Sequence, residues 1–217
     1  MNISSIILAG GKSTRMGHDK ILETIGNTSL LEQVISCIDP LSNNIIIVTV
    51  KERTFPQLAN RPRIKIVSDI LPGQGSLGGI YTGLVNSDSF YNLVCAADMP
   101  FVNVTLLKYL IGISEGYDFV LPRINGQLEP LHAIYSKNCI APIESILNEG
   151  KKVIIELIKH VKVRYVETEE IDKIDPEHLS FFNINTEDDL KTAREIAREY
   201  PERLSYGLAA SRRSGSE

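Results

Sequence analysis

The 217-residue chain has no tryptophan, only three cysteines and no excess of positive charge. It also lacks any apolar run near the roughly 18 residues that a membrane-spanning helix needs. Cys37, Cys95 and Cys139 are far apart, each in an apolar setting, with no C-x-x-C pair. That argues against zinc or dithiol redox chemistry, and an odd number argues against a disulfide scaffold. Buried free thiols in a reducing, cytoplasmic compartment are expected. Lys and Arg total 23 against 27 Asp and Glu, a net charge of -4, which excludes a broadly cationic nucleic-acid or lipid-surface binder but leaves room for a local basic pocket. The apolar start, Met1 to Ala9, has no positively charged leader and reads as a first strand rather than a signal peptide. Neither a repeat nor a linker is visible, so one domain over residues 1–206 is expected, with a disordered polar tail over 207–217.

What is present is an alternation of short apolar runs with longer amphipathic ones. Ile6–Leu8, Ile45–Val50, Ile64–Val67, Leu93–Ala96 and Phe119–Leu121 read as strands. The second is apolar on both faces apart from Thr49, as suits a sheet covered by helices on both sides. Ser29-Leu30-Leu31-Glu32 is a capping box opening a helix that continues through Ile38. Further helices are expected from Leu77 to Val85 and after Asn103, with Leu106, Leu107 and Leu110 on one face. This cadence predicts a three-layer, Rossmann-like α/β fold with a mostly parallel sheet. Beyond Leu121 the rhythm changes. Asn125-Gly126 marks a hairpin, and Leu131–Tyr135 and Val161–Val166 are further strands, giving a small antiparallel addition. Helices are expected over Asn138–Leu147 and Lys152–Ile158, and Thr186 caps a last one reaching about Tyr200.

Eight of the 15 glycines fall in two windows, 10–17 and 73–83. The first, Leu8-Ala9-Gly10-Gly11-Lys12-Ser13-Thr14-Arg15-Met16-Gly17-His18-Asp19-Lys20, follows the first strand. Gly10, Gly11 and Gly17 let backbone N–H groups approach an anion. Arg15 suits two-pronged contact with phosphoryl oxygens, and Lys20 is a mobile point charge. Three cations against one acid in a net acidic chain point to phosphate. The loop is neither a Walker A motif nor a G-x-G-x-x-G fingerprint.

The second window lies in Asp69-Ile70-Leu71-Pro72-Gly73-Gln74-Gly75-Ser76-Leu77-Gly78-Gly79-Ile80-Tyr81-Thr82-Gly83. Glycine inside a helix costs about 1 kcal/mol in propensity. Gly79 and Gly83, four apart on one face, therefore imply either a backbone approaching a base or a helix pressed on the sheet. Asp69, at a strand end, is placed to accept hydrogen bonds from a base or ribose, or to cap its own turn. Asp98, in Cys95-Ala96-Ala97-Asp98-Met99-Pro100, brings one carboxylate to the carboxyl end of an apolar strand, where ligands of open α/β sheets collect. It suits Mg²⁺, which prefers oxygen ligands and nucleotide phosphates. His160 and His178 have no metal-ligand partners at useful spacing, and Lys151-Lys152 reads as a surface helix start.

Together LAGGKSTRMGHDK, DILPGQGSLGGIYTG, CAADMP and NINTEDDL resemble, in order, the molybdenum cofactor guanylyltransferases, within the Rossmann-like nucleotidyltransferases. The resemblance covers roughly residues 4–197. It implies transfer of GMP from GTP to the terminal phosphate of molybdopterin or its molybdenum form, with release of pyrophosphate and with Mg²⁺ as cofactor. It further implies that Leu8, Ala9 and Gly10 face the nucleotide, that Lys20 lies near the phosphates, that Asp69 contacts the nucleotide and that Asp98 carries the metal. Asn183 and Asn185 fall in a segment on the acceptor side, where amides stand in place of a second metal-binding Asp. Glu129, and less strongly His132, match positions lining the acceptor pocket. Pathway logic adds transient contacts with other cofactor-biosynthesis proteins. The chain departs from the family at Ser76, where Pro is usual, and in the polar tail after Tyr206. From the residues alone, another nucleotide or phosphorylated acceptor, or a nucleotide-binding protein without activity, remains open.

Overall fold

The computed structural model describes residues 2–10, 20–58, 60–201 and 204. Within its main sheet, strand β1 (Ile3–Leu8) is flanked by two parallel neighbours. On one side lie β4 (Asn44–Thr49) and β5 (Ile64–Ser68). On the other lies β6 (Tyr91–Ala96), followed by β9 (His132–Ser136), β7 (Phe119–Ile124) and β10 (Val163–Glu167). β9 is antiparallel to both β6 and β7, and β8 (Gln127–Leu128) folds back on β7. The expected mostly parallel sheet with an antiparallel addition is what forms. At the β7–β8 turn, Asn125 and Gly126 both have positive φ, 49° and 83°, the backbone that an Asn-Gly hairpin turn requires.

The alternation along each strand divides the core in two. Ile45 and Ile47 of β4 face one side, with Ile7, Leu93 and Cys95. Helices α1 (Leu30–Ile38), α3 (Val104–Gly112) and the short α5 (Thr168–Ile171) cover that side. Ile46 and Val48 face the other, under α2 (Gly75–Asn86) and α4 (Ile140–Asn148). This two-faced burial is why the β4 run carries apolar residues almost without a break. Ser29 caps α1, accepting from Glu32 N at 3.3 Å, and Asn103 caps α3, accepting from the N–H groups of Thr105 and Leu106. The helix expected over Lys152–Ile158 is instead a 3₁₀ segment, Ile154–Lys159, and that expected over Asn138–Leu147 starts two residues later, after a 3₁₀ turn. The three cysteines are free and buried as expected.

A third, smaller apolar cluster has a particular consequence. The last helix, α6 (Glu187–Glu199), packs Leu190, Ala193 and Ala197 onto Ile25 and Leu30, together with Phe101 and Ile184. Ile25 belongs to the two-strand hairpin β2 (Thr24–Ile25) and β3 (Thr28–Ser29), which had no sequence expectation. Arg194 clips the same hairpin by donating to Thr24 O and Glu23 Oε2. The far end of the chain is thereby fastened beside Lys20.

Candidate active site

The carboxyl ends of β1, β4, β5 and β6 define one edge of the sheet. The chain runs from β1 to β4 on one side and later crosses back, through α2, to β6 on the other. Ligands of such sheets bind in the crevice at that reversal. Ala9 donates to Val48 O, Asp69 N to Thr49 O and Ala97 N to Leu8 O, so the exits of all four strands are tied side by side. Leu8, Ala9, Gly10, Asp69 and Asp98 therefore reach one edge. Gly11, Lys12, Arg15, Gly17 and His18, like the tail over 207–217, lie outside the described residues.

At this edge Lys20 meets residues that are distant in sequence. Its Nζ lies 2.5 Å from Asp98 Oδ2, with both side chains about 15% exposed. It also donates to Ile184 O at 2.8 Å and to Asn185 Oδ1 at 3.3 Å. Ile184 N in turn donates to the backbone oxygen of Asp98. The Asn183–Asn185 segment is thus docked on Asp98. Thr186 holds that segment: its hydroxyl accepts from Asp189 N, while the Asp189 carboxylate accepts from the N–H groups of Asn185 and Thr186. This reciprocal cap fixes where α6 begins.

The oxygen of Asp98 not held by Lys20 is buried and takes no hydrogen bond from the protein. A lone carboxylate with an unspent oxygen suits a hard cation that draws its remaining ligands from water and substrate phosphates. Among the described residues no cluster of three or more His, Cys, Asp or Glu is placed to hold a metal. The free oxygen of Asp98 is a donor of the kind such an ion takes.

Asp69 has a structural task as well. Its Oδ1 accepts from Leu71 N at 3.0 Å and from the Thr82 hydroxyl at 2.9 Å, pinning the turn that leads into α2. The helical glycines press on the sheet. A Cβ at Gly83 would stand 2.4 Å from Ile6 Cγ2, and one at Gly79 3.2 Å from Leu8 Cδ2. Close helix–sheet approach accounts for Gly83, whereas at Gly79 the neighbour is the end of a side chain. Glu129 sits where β7 and β9 converge, its N–H donating to Pro122 O, and burial pushes its carboxyl up.

Two residues were not foreseen. Arg53, beyond the end of β4, donates to Ala9 O and so brings a further cation to the first loop. Its place after a parallel strand was the available signal. Lys152 is more than a surface charge: it donates to Gly73 O at 2.8 Å, across to the second glycine loop.

Residues 5–163 match the family described as the MobA-like NTP transferase domain. A probable molybdenum cofactor guanylyltransferase of Pelotomaculum thermopropionicum is 36% identical over 91% of this chain and 94% of its own length. One from Methanosarcina mazei is 37% identical over 90% and 92%. The structure of molybdopterin-guanine dinucleotide biosynthesis protein A from Archaeoglobus fulgidus superposes with a TM-score of 0.78 at 31% identity, covering 90% of this chain and 99% of that one. A 2-C-methyl-D-erythritol 4-phosphate cytidylyltransferase from Thermus thermophilus, 16% identical over 91% of this chain and all of its own (TM-score 0.68), shares the fold. With its parallel-strand edge carrying Lys20, Asp98 and the late Asn-Ile-Asn segment, the chain belongs to the MobA-like NTP transferase family.

Proposed function

We propose that the protein transfers GMP from Mg-GTP to the terminal phosphate of molybdopterin, with or without molybdenum, and releases pyrophosphate. The observation that carries this reading is the joining of Lys20, Asp98 and Asn185 at one sheet edge, in a chain similar over nearly its whole length to guanylyltransferases of the molybdenum cofactor. In the reaction, an acceptor phosphate oxygen attacks the α-phosphorus of GTP. The new P–O bond forms as the bond to the bridging oxygen breaks, and pyrophosphate leaves with the electron pair. An ionised phosphate is already a nucleophile, so no general base is required.

The main obstacle is charge repulsion between two polyanions. The backbone at Leu8, Ala9 and Gly10 faces the nucleotide, with the N–H groups of the Gly10-Gly11 loop toward its phosphates and with Asp69 and the Gly79 face beside it. Arg15 and Lys20 neutralise phosphoryl oxygens as charge shifts in the transition state. Asp98 holds Mg²⁺, which polarises the α-phosphoryl group when bound. Asn183, Asn185 and Glu129 line the acceptor side, Asn185 being already in contact with Lys20. The test is pyrophosphate release from molybdopterin with each of GTP, CTP, ATP and UTP. Turnover confined to GTP is expected. Turnover with another nucleotide, or none with any, would overturn the assignment. Among the described residues no helix is long and apolar enough to cross a membrane.

A further inference from the structure

His132 is fully buried, yet neither imidazole nitrogen has a hydrogen-bond partner. Native interiors rarely leave a polar group in this state, because the group gives up its bonds to water with nothing in return. A histidine serving only as packing would be replaced without loss by a phenylalanine or leucine. Burial also pushes its pKa down to about 4, so the ring is neutral in the physiological range, with one N–H to donate and one nitrogen to accept.

There is a second orphan. Asn183 Oδ1 is buried and has no partner either. Two contacts link the surroundings of the two residues. His132 opens β9 opposite Cys95 of β6, three residues before Asp98. Its ring meets Phe181 edge-on, with centroids 5.0 Å apart, and Phe181 is two residues before Asn183. On the other side of Asn183, Ile184 N is bonded to Asp98 O.

We propose that His132 is a positioning residue for the acceptor. Its ring N–H donates to Asn183 Oδ1 through one ordered water, and so aims the Asn183 amide N–H groups at the acceptor phosphate. This deepens the proposed guanylyl transfer and rests on it for the identity of the acceptor. A carboxamide whose oxygen is held by a donor cannot flip, and so presents only donors to an anion. The neutral ring adds no charge to a site that must also admit a triphosphate.

The experiment has two arms, both on the full-length protein. In the first, the His132 ring nitrogens are followed by ¹⁵N-detected NMR without any acceptor. A single neutral tautomer is expected, and Asn183→Ala should shift its signals. Signals indifferent to that substitution would overturn the proposal, whatever the protein's substrate. In the second, His132→Phe should raise the KM for molybdopterin about tenfold, the worth of one hydrogen bond. The Kd for GTP should stay within about twofold and the melting temperature should not fall, and His132→Gln or His132→Asn should recover part of the loss. An unchanged KM in a folded His132→Phe protein would also overturn it. Should that variant fail to fold, the first arm still decides. Absence of turnover by the wild type with molybdopterin and GTP, with the NMR coupling intact, would fault the proposed function and not the His132–Asn183 pair.

Discussion

Lys20 Nζ and Asp98 Oδ2 stand 2.5 Å apart although 78 residues separate them in sequence. The pair places in contact the cation proposed to bind phosphate and the carboxylate proposed to bind metal, each neutralising the other at a poorly solvated edge. Binding of Mg-GTP would exchange this contact for two others, lysine to phosphate and carboxylate to metal. Removing either partner should leave the other charge uncompensated. Asp98→Ala is expected to lower Mg²⁺-dependent turnover by at least about 100-fold while the circular dichroism spectrum stays native. Lys20→Ala should weaken GTP binding and slow the reaction. A wild-type rate in purified D98A protein would sink the metal assignment.

The two roles of Asp69 can be separated because an amide keeps one of them. Asp69→Asn retains an oxygen able to accept from Leu71 N and Thr82, so the turn should survive. The negative charge is lost. If the carboxylate grips the nucleotide, the Kd for GTP should rise about tenfold or more with little change in thermal stability, since a charged hydrogen bond is worth about 1.5–3 kcal/mol. Calorimetric titration of GTP into both proteins measures it, and an unchanged Kd would leave Asp69 a purely structural residue.

The glycines of α2 should differ in tolerance. At Gly83 a methyl group would collide with Ile6, a fully buried side chain of the central strand. Overpacking costs about 1–3 kcal/mol, partly offset by about 1 kcal/mol of helix propensity, so Gly83→Ala should lose about 1–2 kcal/mol. At Gly79 the neighbour is the end of Leu8, half-buried and able to rotate, so Gly79→Ala should be close to neutral in stability. Its GTP affinity then tests whether that face meets the nucleotide. Denaturant unfolding of both variants would check the order, and equal losses would contradict the packing account.

His132 also predicts an acid limb of stability. Its pKa is about 4 in the folded protein against about 6.5 when free, so between these values the unfolded chain binds more protons. The stabilising effect of keeping the ring neutral is complete above about pH 6.5 and declines as pH falls toward 4, by up to about 3 kcal/mol. His132→Phe should remove this limb. Wild type should therefore lose about 2 kcal/mol more than the variant between pH 7 and pH 5, measured by guanidinium unfolding. Parallel losses in the two proteins would contradict the burial.

The sequence by itself determined most of the elements and the strand ends that carry the candidate site residues. Apolar runs, caps at Ser29, Asn103 and Thr186, and the Asn125-Gly126 turn are local signals, written in residues a few positions apart. Asp69 and Asp98 could be placed at strand ends for the same reason. The clustered glycines were visible too, but their spacing did not distinguish a base from a neighbouring strand. The contacts with Ile6 and Leu8 are tertiary, and only they reveal the packing role. The 3₁₀ form of Ile154–Lys159 likewise escaped, since short apolar periods look alike in either helix. Above all, nothing local announces that Lys20, Asp98 and Asn185 meet. That meeting depends on the packing of α6 against the β2–β3 hairpin, where burial of Leu190 and Ala193 on Ile25 and Leu30 closes a span of more than 160 residues. Side-chain burial at such separations is decided by the assembled core, and with it which charges are paired and which polar atoms, such as those of His132, remain to be satisfied.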